Sequence, residues 1–335
     1  MPQLSAPQKA ASSRPWKWIV SIALAAALLY FSLRGVEWGR VWIIIAGAHW
    51  QYFVGSALIV CVSSVLRALR WRVLLNAEAD LGVWTVFRAT MAGYLGNNFL
   101  PARAGEVIRT LLISRRSNLS KTYVLTTALS ERLMDVIALV LASSIVLMGV
   151  HPKPAWMADL SRSMAIVAAL GALTVTVVPH TGNLLTKLLA CLPFPTGLHD
   201  KLVGLSEQVL LGMRAFHHWG RFGGFVVLTA AIWTCDALSA MVGSRALGLN
   251  LTFSVAMLLL TGLGLGSALP STPGYVGIYQ FVAVSVLVPF GISKDAALAY
   301  ILITQAVGYV VVILLGLPSF SLLREASSET PDLDD

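Results

Sequence analysis

Long stretches without charge constrain this chain more than any other feature. Residues 41–66, 163–186 and 296–323 contain no Asp, Glu, Lys or Arg over 26, 24 and 28 residues. A helix rising 1.5 Å per residue crosses a hydrocarbon core of about 30 Å in roughly 20 apolar residues, so each stretch suffices for one crossing. A shorter apolar run, 18–33, begins beside Trp16 and Trp18, the residue type that anchors helices at a membrane interface. No small-residue cleavage pattern follows it, so it is expected to be a retained anchor and not a signal peptide. Residues 122–148 and 223–243 are apolar helices carrying three charges and one. Six crossings follow. Charged residues make up only 12% of the 335 residues, about half the share in soluble domains.

The longest uncharged run, 246–293, differs from the others because Leu269, Pro270, Ser271, Thr272, Pro273 and Gly274 interrupt it. Two prolines and a glycine end one helix and start another, leaving halves of about 15 residues, too short for an ordinary span. A re-entrant pair is the economical reading, and two short spans are the alternative. With the N-terminus inside, 14 Lys and Arg fall on the cytoplasmic side and 6 outside, leaving Arg88, Arg103, Arg109 and Arg132 within apolar segments. That bias places both termini in the cytoplasm. The formal net charge is +8, and five acids crowd residues 325–335. A basic body this poor in charge suits anionic lipid and not nucleic acid. Cys61, Cys191 and Cys235 form no metal-ligand spacing.

Residues 100–107 and 269–276 share the pattern L-P-x-x-x-G-x-V at an offset of 169, and Gly93 matches Gly262 at the same offset. Leu119, Ser120 and Lys121 match Ile292, Ser293 and Lys294 at an offset of 173, each trio opening a long apolar helix. A repeat of about 41–148 with 223–320 is expected. An odd number of crossings separates the two starts, which inverts the second copy and brings the broken pairs together from opposite leaflets, as in secondary transporters. The expected fold is therefore all-α: a polytopic membrane protein with six transmembrane helices, two broken re-entrant pairs and an inverted internal repeat. A single membrane domain over 16–324 lies between an N-terminal tail (1–15) and an acidic tail (325–335), with an amphipathic cytoplasmic connection at 180–222.

Ionisable groups in apolar segments are expensive and mark candidate sites. Asn97 and Asn98 precede Pro101, after which a half-helix beginning near Ala102 would present its N-terminus to an anion. Arg103, Glu106 and Arg109 follow at three-residue spacing on one slowly drifting face. They suit a phosphate seat, with a structural Arg–Glu–Arg triad as the alternative. Glu131 and Asp135, one turn apart beside Arg132, would repel unless one is protonated or an Arg pairs with both. They fit a proton relay or an interhelical lock. The second repeat carries Thr304, Gln305 and Gly308 at the matching positions, so this charge belongs to one half only. Gly262, Gly264 and Gly266 suit close helix packing and not a dinucleotide loop, since no strand precedes them. Arg67, Arg70 and Arg72 read as a lipid-phosphate contact or a positive anchor at the cytoplasmic interface. His217 and His218 have no nearby ligand partners.

Four ordered motifs resemble the lysylphosphatidylglycerol synthase transmembrane, or flippase-like, family. They are Arg70 and Trp71 followed by a Leu pair; Gly93 with Asn97, Asn98, Pro101, Arg103, Glu106 and Arg109; Glu131, Arg132 and Asp135; and Pro270, Pro273, Gly274 and Gly277. The resemblance covers about 15–325. It implies a role in moving or handling polar lipids in the bacterial cytoplasmic membrane. In the namesake proteins the module flips aminoacylated phosphatidylglycerol made by a fused synthase domain, whereas stand-alone members are linked to hopanoid or isoprenoid lipids. With eleven residues after Arg324, this chain is expected to be a stand-alone member that does not aminoacylate lipid. Tyr275 stands where many relatives have a further glycine, and would narrow a cavity or stack on a substrate.

The expected function is lipid transport through a mid-membrane cavity, with Arg70, Asn97, Asn98, Arg103, Glu106, Arg109, Glu131, Arg132, Asp135, Pro270, Ser271, Thr272, Gly274 and Tyr275 binding substrate. The expected partner is a membrane lipid, with a lipid-biosynthesis enzyme as a second. No cofactor or metal is implied, and the chain is expected not to be an enzyme; no nucleotide phosphate loop is present. The alternatives are an intramembrane transferase acting on a lipid-linked phosphate and a non-catalytic partner of a synthetic enzyme.

Overall fold

The computed structural model describes residues 15–100, 104–149, 216, 218–267 and 273–321, with isolated positions between 163 and 173. Arg103, Pro270, Ser271 and Thr272, both tails, most of the expected 163–179 crossing and most of the 180–222 connection lie outside them. All regular structure among the described residues is helical. After α1 (Pro15–Leu33) and α2 (Trp38–Ala46) come α3 (Trp50–Leu75), α4 (Val83–Phe99), α5 (Ala104–Arg116) and α6 (Lys121–Gly149). A second series follows: α7 (Trp219–Arg245), α8 (Phe253–Ser267), α9 (Ile278–Leu287) and α10 (Lys294–Gly316).

Among the described residues four helices are long and apolar enough to cross a membrane: α3, α6, α7, and α10 with its short continuation to Phe320. Only 22–33% of each apolar window is buried within the protein, which leaves the rest to face hydrocarbon. The expected crossing at 41–66 is corrected. At the end of α2 the Gly47 N–H donates to Ile43 O and the Ala48 N–H to Ile45 O, and His49 is non-helical before α3 starts at Trp50. The membrane helix then runs on to Leu75 and carries Arg67, Arg70 and Arg72 inside it. Freedom from charge marked the wrong boundary because those arginines have partners within the protein.

The packing follows one pattern twice. Helix α3 lies on α4 as α7 lies on α8; α4 packs closely on α5 as α8 does on α9; α5 meets α6 as α9 meets α10; and α6 touches α8 as α10 touches α4. Helices α3 and α7 pack against each other along much of their length. They run antiparallel, since the His49 N–H donates to Ala246 O (2.8 Å) near one end while Arg70 reaches Thr229 (3.2 Å) near the other. Between those ends Ser56 and Ser239 bond reciprocally: each hydroxyl reaches the other residue's carbonyl, at 3.1 and 3.2 Å, and the hydroxyls lie 2.8 Å apart.

Glycines let the broken helices close on themselves. A Cβ on Gly105 of α5 would run into Gly93 O and lie 2.6 Å from the Asn97 side chain of α4. In the second series a Cβ on Gly262 would meet Val282, and one on Gly266 would meet Ile278, each at 2.7 Å. Small residues that bring backbones together are a main source of helix association where no water drives it. Replacing Gly105 by Ala is expected to lower the thermal unfolding midpoint and the yield of monodisperse protein in detergent. Gly224→Ala, where the added Cβ meets nothing within 4 Å, should leave both unchanged.

Candidate functional site

Arg67, Arg70, Trp71 and Leu74 recur at i, i+3, i+4 and i+7, the spacing of one helix face. On α6 the stripe is Thr127, Glu131 and Asp135; on α5 it is Glu106 and Arg109. Packing brings these stripes together as a continuous ladder of ion pairs. Arg70 binds Asp135 through both terminal nitrogens, at 2.5 and 2.9 Å, and donates from one of them to Glu131 at 2.8 Å. The second oxygen of Glu131 accepts from Arg109 at 3.0 Å, and Arg109 Nε donates to Glu106 at 2.6 Å. The other Glu106 oxygen accepts from Arg132 at 3.1 and 3.2 Å and from the Asn97 amide at 3.4 Å.

Three arginines therefore meet three carboxylates, and the ladder carries no net charge. The Arg109 guanidinium lies 4.6 Å from the Trp71 ring centre, Arg70 5.1 Å from Phe225 and Arg132 5.9 Å from Tyr94; aromatic faces of this kind favour cations. Arg70 and Arg109 are 0% and 1% exposed. The expectation that Arg70 lies at the cytoplasmic interface, touching lipid phosphate or anchoring the helix, is thus corrected. Its position on the Trp71 face of α3 turns it into the interior, where two carboxylates compensate its charge. The facing carboxylates Glu131 and Asp135 do share an arginine, which is Arg70.

A second, smaller pair links the two series. Arg67 of α3 forms an ion pair with Asp236 of α7, and the same carboxylate accepts from the Ser63 hydroxyl at 2.6 Å. Asp236 was passed over in the sequence as the single charge of an apolar helix. The signal was present nonetheless: it falls at the repeat offset of 169 from Arg67.

Beside this pair, a cavity of about 300 Å³ opens between α3, α7, α8 and α10. Asn98, Asp236, Tyr275, Gln305 and Tyr309 are among the residues lining it. The two helix breaks meet at its edge: a Cβ on Gly274 would lie 3.7 Å from Asn98 O, and the turn Pro273–Tyr275 packs on α4. Gly274 has φ +70°, and its carbonyl accepts from Gln305 at 2.5 Å and from the Tyr309 hydroxyl at 2.6 Å. Gln280 ties the next turn, accepting from the Gly277 N–H at 2.7 Å and donating to Gln305 at 2.9 Å. Neither Gln280 nor Tyr309 was singled out in the sequence, because a lone amide or phenol in an apolar helix has no distinguishing pattern. Tyr275 is the one non-glycine residue with positive φ among the described residues, at 60°. That backbone costs a side-chain-bearing residue about 1–2 kcal/mol, and its ring stacks on Tyr279 at 5.0 Å. An apolar groove of about 610 Å³ between α3 and α10 adjoins the cavity, with Val307 lining both.

A family model of the lysylphosphatidylglycerol synthase TM region matches residues 18–316. The chain belongs to that family. Two relatives align with most of its length. One, named Glycosyltransferase AglD, from Haloferax volcanii, is 24% identical over 90% of this chain and 53% of its own length. The other, named UPF0104 membrane protein PH1989, from Pyrococcus horikoshii, is 22% identical over 89% of this chain and 93% of its own. The chain thus spans about half the length of the first and nearly all of the second. The first relative overturns the expectation that the chain is not an enzyme, since a protein aligned with nine-tenths of it bears a glycosyltransferase name. The missing phosphate loop argued only against ATP hydrolysis and never bore on glycosyl transfer.

Removing one partner of a buried pair strands the other charge, at a cost of about 3–5 kcal/mol. Arg70→Ala is therefore expected to destabilise the protein by that order in detergent unfolding. Arg40→Ala, which loses a 2.6 Å pair with exposed Glu37, should cost no more than about 1 kcal/mol.

Proposed function

We propose that this family member takes the polar headgroup of a membrane lipid into the cavity between its two helix breaks while the hydrocarbon chains stay outside. One observation carries the reading: a mainly apolar cavity that holds a few hydroxyl and amide groups lies where both breaks meet and adjoins a wholly apolar groove along the α3–α10 seam. Polar groups confined to the cavity and absent from the groove match the two parts of a lipid. Asn98, Gly274 and Tyr275 would contact the headgroup. Arg132, whose side chain is 35% exposed, and Glu106 at 13% would stand at the more open end of the ion ladder. Arg70, Arg109, Glu131 and Asp135 would hold the frame.

The antiparallel packing of α3 on α7 supports an inverted repeat, because equivalent first helices of two like-oriented copies would run parallel. Irregular backbone at membrane depth is tolerated where it lines a cavity, which accords with the non-helical Leu100 and the turn at Pro273–Tyr275. With six crossings and both termini on the cytoplasmic side of a bacterial inner membrane, such an arrangement suits alternating exposure of a lipid headgroup. A lipid-biosynthesis enzyme is the expected supplier of the substrate. The name of the first relative favours a second reading, transfer of a sugar to or from a lipid-linked phosphate, in which the same cavity would hold the lipid's headgroup during reaction.

Leaflet exchange in reconstituted vesicles tests the proposal, using phosphatidylglycerol, phosphatidylethanolamine and glucosyl-diacylglycerol labelled on their headgroups. The chain should accelerate exchange of at least one lipid, and Asn98→Leu should slow it at least tenfold without changing the melt. No acceleration with any of the three would end the transport reading. Product formed from a labelled lipid-linked sugar by the purified chain alone would establish the second.

A further inference from the structure

The two series of helices use equivalent positions in opposite ways. In the first, Arg70, Glu106, Arg109, Glu131, Arg132 and Asp135 fill the interior with the ion-pair ladder. Their counterparts, at the sequence offsets of 169 and 173, are Ser239, Tyr275, Ile278, Thr304, Gln305 and Gly308. All but Ile278 line the cavity of about 300 Å³. The hollow lies where charged side chains are replaced by neutral ones, the largest losses of bulk being Arg70 to Ser239 and Asp135 to Gly308.

Gly308 sharpens the point. It lies in the interior of α10, where glycine weakens a helix relative to alanine, yet a Cβ there would meet nothing within 4 Å. No neighbour requires the missing side chain, so the residue leaves space that the fold itself does not use. Tyr275 adds a second cost at the same cavity, a side chain held at φ 60°. Local strain of this kind gathers at functional sites.

The lining also selects by charge. Among the described residues its one ionised side chain is Asp236, already matched by Arg67 and Ser63. No cation among them lines the cavity to hold a phosphate, and no uncompensated acid to hold an amine. The polar groups that remain are hydroxyls and amides able to donate and accept, set among apolar side chains such as Leu259 and Leu263 and beside the stacked Tyr275 and Tyr279 rings. Thr304 Oγ1 donates to Tyr300 O at 2.7 Å, leaving its oxygen lone pairs available as acceptors, while the Tyr309 hydroxyl donates to Gly274 O and accepts from Gln305 at 2.7 Å.

We infer that the cavity of the second series binds an uncharged, hydroxyl-rich headgroup of about one sugar ring, such as that of a glycosylated lipid. The ladder of the first series is its filled counterpart and serves as frame. Ring hydroxyls would bond to Asn98, Thr304, Gln305 and Tyr309, and the apolar face of the ring would lie on Tyr275. This inference rests on the proposal that a lipid headgroup enters the cavity, and it names the class of that headgroup.

The test measures retention of glucosyl-diacylglycerol, phosphatidylglycerol and phosphatidic acid of matched chains by native mass spectrometry, with the full chain in a detergent that has no sugar headgroup. Glucosyl-diacylglycerol should bind at least tenfold more tightly than the two phospholipids. Gly308→Leu, which fills the hollow, should remove that preference while the thermal midpoint holds. Thr304→Val, which removes one hydroxyl at constant shape, should weaken glycolipid binding alone and serves if the leucine variant fails to fold. Phospholipid bound more tightly and displaced by Gly308→Leu would overturn the sugar assignment while sparing the headgroup reading. Binding of every lipid insensitive to both variants, or no binding at all, would overturn both.

Discussion

Charges inside a low-dielectric, lipid-surrounded protein are tolerated only when each one finds its counter-charge, and the interior of this chain is arranged around that requirement. Asp135, Arg70, Glu131, Arg109, Glu106 and Arg132 alternate in sign along a single path through α6, α3 and α5. Each of the four inner members pairs with a neighbour on either side, while Asp135 and Arg132 close the two ends. Desolvating an ion costs several kcal/mol even after relaxation. The ladder is therefore less a source of net stability than a device that fixes which helix faces meet. Shifting α3 by one residue against α6 would strand several charges together.

Given that frame, the broken helices can place irregular backbone inside the protein. Gly93, Gly96 and Gly105 allow α4 and α5 to touch through backbone atoms, and Gln280, Gln305 and Tyr309 satisfy the peptide groups that the second break exposes. The two breaks solve one problem with different chemistry. The first is backed by ions that fill their space, and the second by neutral amides and phenols that leave a hollow. The two halves thus differ, one filled with paired ions and the other hollow, around a common centre.

Much of the site was legible in residue spacing. Glu131 and Asp135 one turn apart demanded a shared arginine, and Gly262, Gly264 and Gly266 pointed to close packing; a Cβ on Gly264 would lie 2.7 Å from Leu139. Arg70 was misplaced because a cluster of arginines at the end of an apolar run looks the same whether it faces lipid phosphate or a carboxylate 61 to 65 residues away. Asp236, Gln280 and Tyr309 went unnoticed for a related reason. Single polar residues in apolar helices acquire meaning only through what packs on them.

The sequence by itself determined that the chain must live in a membrane, that it is helical and broken by Pro and Gly at two matching places, and to which family it belongs. Those properties follow from local composition and spacing, since 20 apolar residues or a proline act the same way wherever the chain goes. Tertiary structure alone decided which charges cancel, where α3 begins, and that the neutral counterparts of the ion ladder surround a cavity. Each of these depends on residues far apart in the chain meeting across helix faces. Spacing along one helix sets a side chain's direction but not what waits on the other side.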